Sequence, residues 1–199
     1  PHLFFADGGI FTWVDVDGDE RLSVGIDAID LNGDGMVQRG ETLQLVNSPR
    51  LYRDHDGTAV VEADALEFEP QYDWLYLDQN MNGQRDVGRN AGFDEDTLAY
   101  GEPIFVAEDL SGNGDVDVGE LLYRLGRSKL RKKVVGNLVF ERGVNLIDST
   151  AHIDELRPAH GTSTASVLVG GQPRAHRHIG VAPDAELITY THRAERSPE

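Results

Sequence analysis

Asp and Asn recur at alternate positions in several short polar runs, and alternate oxygen-bearing side chains are what a chain needs to wrap a hard cation. In residues 30–41, DLNGDGMVQRGE, Asp30, Asn32 and Asp34 fall at loop positions 1, 3 and 5, and Gly35 takes the sharp turn at position 6. The Met36 carbonyl supplies position 7, and Glu41 at position 12 can bind through both oxygens. Val37, at position 8, is placed to pack inward behind the ion. The template recurs at 109–120, DLSGNGDVDVGE, with Asp109, Ser111, Asn113, Gly114, the Asp115 carbonyl, Val116, Asp117 and Glu120. Two full matches in one short chain point to Ca2+, since accidental polar turns do not repeat a closing carboxylate at one fixed distance.

Two further runs match in part. At 15–27, DVDGDERLSVGID, the residues Asp15, Asp17 and Asp19 fit positions 1, 3 and 5, but Glu20 replaces the turn glycine and Ile26 stands where the closing carboxylate belongs. Asp27, one residue late, or a residue outside the loop must close it. At 78–86, DQNMNGQRD, the residues Asp78, Asn80, Asn82, Gly83, Gln84 and Asp86 fit, yet Arg89 occupies the closing position, where Asp94, Glu95 or Asp96 can substitute. With two carboxylates among its early ligands this loop is expected to bind more weakly, and an ordinary turn remains the alternative. Asp54, Asp56 and Thr58 read as a turn. The loops resemble the calcium loops of dockerins and EF-hands without the long flanking helices. An intracellular EF-hand sensor fits less well, because exposed Met-rich helices are absent.

The segments that must hold these loops are short. GEPIFVAE before Asp109 and YDWLYL before Asp78 read as strands, whereas TLQLV after Glu41 and LLYRL after Glu120 read as brief helices. Trp13 and Trp74 each precede a loop that is followed by a second loop closing in Gly-Glu, a weak internal duplication, and both Trp residues read as core anchors. The chain of 199 residues carries a net charge of −17, unevenly spread. Residues 1–126 hold 27 acids and 7 bases, and residues 127–199 hold 8 acids and 11 bases. So acidic a surface repels phosphate backbones, and the RSKLRKK run at 127–133 lacks interleaved aromatics, so it reads as a solvated linker rather than a nucleic-acid patch. There is no Cys, and no apolar stretch approaches the roughly 20 residues that would cross a bilayer.

Beyond the linker the signal changes. VVGNLVFERGVNLI at 134–147 reads as two strands around a turn at Glu141–Gly143, HGTSTASVLVGG at 160–171 as a helix, and IGVAPDAELITYT as a turn and a strand. Strand, helix, strand at these lengths is a βαβ unit. The run His160-Gly161-Thr162, followed by Gly180-Val181-Ala182-Pro183-Asp184-Ala185-Glu186-Leu187, resembles the catalytic-histidine segment of the subtilisin-like serine proteases (peptidase family S8). The resemblance covers residues 134–192 and departs from the commonest pattern at Ser163, Thr164 and Ser166. It implies that His160 is the general base of a Ser/His/Asp triad, with polypeptide substrates. No Asp lies in 121–147 and no Ser sits in a nucleophile motif, so the triad Asp is expected before Pro1 and the Ser beyond Glu199, which would leave this stretch inactive alone. His152, His176, His178 and His192 read as solvated.

The expected organisation is an acidic calcium-binding insertion at 1–126, a basic linker at 127–133 and part of a peptidase domain at 134–199. The expected fold class is α/β, a partial subtilisin-like parallel sheet preceded by an irregular α+β region rich in calcium loops. Two functions stand: a calcium-dependent serine endopeptidase, or a non-enzymatic extracellular calcium-binding module. Loops of this kind bind calcium weakly, at about 10⁻⁴ to 10⁻³ M, which suits a bacterial extracellular or periplasmic setting. No membrane span is expected.

Overall fold

The computed structural model describes residues 3–46, 68–152, 160–173, 175–176 and 179–191. These fold mainly as β structure, with eight strands in two sheets and a single α-helix. The first sheet has the order β1-β5-β4-β3-β2, every pair antiparallel: β1 (Ile10–Phe11), β2 (Leu43–Leu45), β3 (Leu75–Leu77), β4 (Ile104–Ala107) and β5 (Leu122–Arg124). Successive side chains of a strand point to opposite faces, and both faces are used here. Leu43, Leu75, Leu77, Phe105, Ala107 and Leu122 share one face with Leu22, Ile29 and Val116, while Ile104 and Val106 share the other with Ala99, Leu125 and Ala175. Trp13 packs on the first cluster and Trp74 on the second. Strands of two to four residues hold together here because the connections lay apolar residues such as Leu22, Ile29 and Val116 over the sheet.

The second sheet has the order β7-β6-β8: β6 (Leu130–Val135) pairs antiparallel with β7 (Leu138–Glu141) and parallel with β8 (Leu187–Thr191). Helix α1 (His160–Val169) lies between β7 and β8 in the chain.

Four expectations are corrected. The α/β subtilisin-like parallel sheet is overturned, because the described residues are mostly antiparallel β and carry one ten-residue α-helix, too little to cover the two faces of a parallel sheet. TLQLV and LLYRL are not helices but hold β2 and β5, their alternation being read by the sheet next to them. The turn of the second hairpin falls at Gly136–Asn137 rather than Glu141–Gly143, since Gly136 adopts a φ of 59°. The stretch 127–133 is not a solvated linker. Leu130 to Lys133 lie in β6, and Lys129 is fully buried, its Nζ donating to the carbonyls of Val169 (2.6 Å) and Gly171 (3.0 Å) at the end of α1. Burial lowers its pKa, and the Asp184 charge opposes that. Among the described residues no helix is long and apolar enough to cross a membrane.

Candidate metal centre

Each Asp-rich run turns out to be the tip of an antiparallel hairpin. Val14 and Ala28 bridge the ends of the first loop, and Ala28 in turn bridges Thr42 across the second. In the third, Leu77 donates to Pro103, and in the fourth, Glu108 donates to Leu121. A hairpin brings the two ends of a loop together, so the only remaining requirement is that the tip curl around a point.

The curl is made the same way four times. The position-1 carboxylate accepts the amide of position 6: Asp15 from Glu20 (3.0 Å), Asp30 from Gly35 (2.7 Å), Asp78 from Gly83 (2.7 Å) and Asp109 from Gly114 (3.1 Å). The position-5 oxygen accepts the amide of position 7: Asp19 from Arg21, Asp34 from Met36, Asn82 from Gln84 and Asn113 from Asp115, at 2.8 to 2.9 Å. These are local side-chain to backbone turns of the kind that Asp and Asn favour. Position 3 (Asp17, Asn32, Asn80, Ser111) accepts the amide of position 5 in all four, at 2.9 to 3.3 Å.

Positions 4 and 6 take positive φ in every loop, which accounts for two residues that carry a side chain there. Glu20 (φ 66°) and Met81 (φ 60°) stand where the other loops have glycine. Position 9 then folds back on position 5, through Ser23 to Asp19 (3.4 Å), Gln38 to Asp34 (2.5 Å), Asn82 to Asp86 (2.9 Å) and Asn113 to Asp117 (3.0 Å). Among the described residues the one group of three or more carboxylates that each bring an oxygen within 4.8 Å of the others is Asp15, Asp17 and Asp19 in the first loop. Partial desolvation there, with the charges of Asp19, Asp27 and Asp15, raises the Asp17 carboxyl above its ordinary range against the Asp19 N–H that it accepts.

The closing carboxylate is recognised by two amides, those of positions 2 and 9. Glu41 accepts Leu31 N–H (3.2 Å) on one oxygen and Gln38 N–H (2.8 Å) on the other, and Glu120 accepts Leu110 (2.7 Å) and Asp117 (2.8 Å) likewise. Asp27 occupies the same place in the first loop, accepting Val16 (2.8 Å) and Ser23 (2.6 Å). Its side chain is one methylene shorter than Glu, and one extra residue of backbone makes up the reach. In the third loop neither Asp94, Glu95 nor Asp96 closes. Glu102 does, accepting Gln79 (2.8 Å) and Asp86 (3.0 Å). It lies in a Gly-Glu dipeptide just ahead of an apolar strand, as Glu41 and Glu120 do, and that shared signal could have found it. Ser23 and Gln38, which complete position 9, were also missed.

No protein-family model, curated protein or solved structure matches this chain.

The loops also touch one another. Arg21 and Asp117 form an antiparallel bridge, Leu22 donates to Val116 (2.9 Å), and the Arg21 guanidinium pairs with Asp115 (3.0 Å), so the first and fourth loops lie side by side. Position-8 residues Leu22 and Val116 pack into the core, but Val37 is exposed, contrary to expectation, and among the described residues no bridge lies beside it as Arg21–Asp117 lies beside Leu22 and Val116. Arg85, at position 8 of the third loop, reaches the carbonyls of Glu102 (2.9 Å) and Ala99 (3.1 Å), and burial pushes its pKa down to about 10 against the pull of the Glu102 charge. Asp54, Asp56, Thr58, His178 and His192 lie outside the described residues. His160 is the first residue of α1, and His176 Nδ1 accepts the Gln172 amide (3.0 Å).

Proposed function

We propose that residues 3–46 and 68–126 form a calcium-stapled β module holding four Ca2+ ions, one in each hairpin tip, in an extracellular or periplasmic protein. The observation that carries this reading is the state of the closing carboxylates. Asp27, Glu41, Glu102 and Glu120 are all buried, at 0 to 8% exposure; among the described residues no Lys or Arg forms an ion pair with Asp27, Glu41 or Glu120, whereas the Arg85 charge acts on Glu102. A buried carboxylate without a cation costs several kcal/mol, and a metal in the loop supplies the missing charge. These amides, two at each carboxylate and a third from Ser111 at Glu120, orient the carboxylates but leave lone pairs on their oxygens. The side chains at positions 1, 3, 5 and 9 offer oxygen donors and no sulfur or imidazole, which suits calcium rather than zinc or copper.

Calorimetric titration of the whole chain with calcium tests this. Four ions per chain are expected, with constants at or weaker than sub-millimolar, and Asp27→Asn and Glu102→Gln should each remove one. A count of two, unchanged by both substitutions, would confine binding to the loops closed by Glu41 and Glu120, and no binding would end the reading.

A second reading concerns residues 134–192. A serine endopeptidase that takes its general base from His160, with its Asp and Ser elsewhere in the protein, is supported by the start of α1 at His160 and by the hold of Lys129 on the other end of that helix. In the full-length protein, His160→Ala should lower peptide hydrolysis by several orders of magnitude, while His176→Ala should leave it within a few fold. Near-parent turnover of His160→Ala would overturn this reading and leave the calcium module standing.

A further inference from the structure

Methionine belongs with the residues most often buried, yet the two in this chain, Met36 and Met81, are exposed at 62% and 47%. Neither serves the core. Met81 is the odder of the two, because it holds position 4 of the third loop with a left-handed backbone (φ 60°), where Gly18, Gly33 and Gly112 stand in the other loops at 71 to 77°. A β-carbon in that conformation costs stability that glycine does not. What the side chain meets there is the second loop: Arg39 Nε donates to the Met81 sulfur (2.7 Å).

That contact lies over a close approach of the two tips. Beside Arg39, a side chain at Gly40 would press on the Gln79 backbone, 3.2 Å from its Cα and 3.3 Å from its carbonyl oxygen. Arg39 is exposed, and among the described residues it forms no ion pair. Its guanidinium therefore has N–H donors to spare at the joint, while the thioether facing it is a weak acceptor. The mismatch ends once the sulfur carries an oxygen.

We propose that Met81 is a site of reversible oxidation by hydroperoxides, and that Arg39 grips the resulting sulfoxide and so tightens the joint between the second and third tips. A sulfur lone pair attacks one peroxide oxygen, the S–O bond forms as the O–O bond breaks, and the second oxygen leaves as water (or, from an organic peroxide, as an alcohol) once protonated. The sulfur gives up the two electrons that the peroxide gains. Exposure of the thioether is what admits the oxidant. The sulfoxide oxygen is partly negative and stands one bond beyond the sulfur, so the guanidinium finds a charge-assisted hydrogen bond in place of a weak one. A thiol-dependent sulfoxide reductase removes the oxygen as water and restores the thioether. Metal in either tip takes no part in this chemistry.

Hydrogen exchange of the whole chain before and after dilute hydrogen peroxide tests the joint, in a Met36→Leu variant that leaves Met81 as the one thioether. Peptide mass mapping should place a single oxygen on Met81. The amides of 38–41 and 79–84 should then exchange about tenfold more slowly than in the reduced chain. Arg39→Ala, at an exposed position, should still take the oxygen and lose the slowing. Met81→Leu in the same background should not respond to peroxide at all. Unchanged or faster exchange in the oxidised chain, or slowing that survives Arg39→Ala, would overturn the grip. A Met81 that takes no oxygen would overturn the site itself.

Discussion

The second and third loops share every early ligand position, yet one is closed eleven residues after its first Asp and the other twenty-four residues after it. Glu41 and Glu102 nevertheless accept the same two amides, those of positions 2 and 9. What places a closing carboxylate here is the strand that follows it, hydrogen-bonded beside the strand that enters the loop. Thr42 precedes β2 and bridges Ala28 at the entry to the second loop, Pro103 precedes β4 and accepts from Leu77 at the entry to the third, and each strand start delivers its Glu to the mouth of the tip it closes. Linear spacing is one way to meet that requirement and not the requirement itself.

Glu102→Ala tests the comparison most severely. It leaves the part-buried Gln79 and Asp86 amides without their acceptor, at about 1 kcal/mol each, and on the calcium reading should remove one ion besides. Chemical denaturation in chelator should show a loss of roughly 2 kcal/mol, as large as that of Glu41→Ala. A much smaller loss than Glu41→Ala would mean that remote closure is a weaker arrangement than local closure. Val116→Ala sharpens the same contrast from the core side. Val116 is 1% exposed and Val37 is 44% exposed although both occupy position 8, so truncation should cost about 2 kcal/mol at Val116 and within about 0.5 kcal/mol at Val37. Equal costs would show that the second loop packs inward after all. The smallest effect is expected at Glu20, which holds position 6 with a left-handed backbone. Glu20→Gly should stabilise by about 1 kcal/mol in thermal unfolding, whereas Gly35→Ala in the second loop should destabilise. Destabilisation by Glu20→Gly would show that its side chain has a role beyond filling the turn.

The loop tips were legible because their chemistry is local. Asp30 to Glu41 and Asp109 to Glu120 carry every position within twelve residues, and a single pass along the chain finds them. Asp27 was legible as a candidate because it was off by one. Glu102 was hidden because its position depends on β3 and β4 pairing, which spacing does not report. The strands β2 and β5 were read as helices because three to five apolar-rich residues carry too little period to tell 3.6 from 2. Lys129 was read as solvated because charge suggests water, and only the folded chain shows the two carbonyls at the end of α1 that its ammonium meets. The mostly β character escaped for a related reason: most of the chain is turn, and the strands that those turns connect are two to six residues long.

The strap of residues 87–101 also shows how freely such a tip tolerates added chain. By loop-closure entropy, lengthening the span between position 9 and the closing carboxylate from two residues to fifteen costs about 1.8 kcal/mol, since the penalty grows only with the logarithm of length. The amide pair at positions 2 and 9 stays in place while the added chain leaves and returns through the Val87–Gly101 bridge. The third tip is therefore a port, a place where foreign sequence of comparable length could be spliced between Gly88 and Tyr100, with the turns of residues 78–86 beneath it left in their original order.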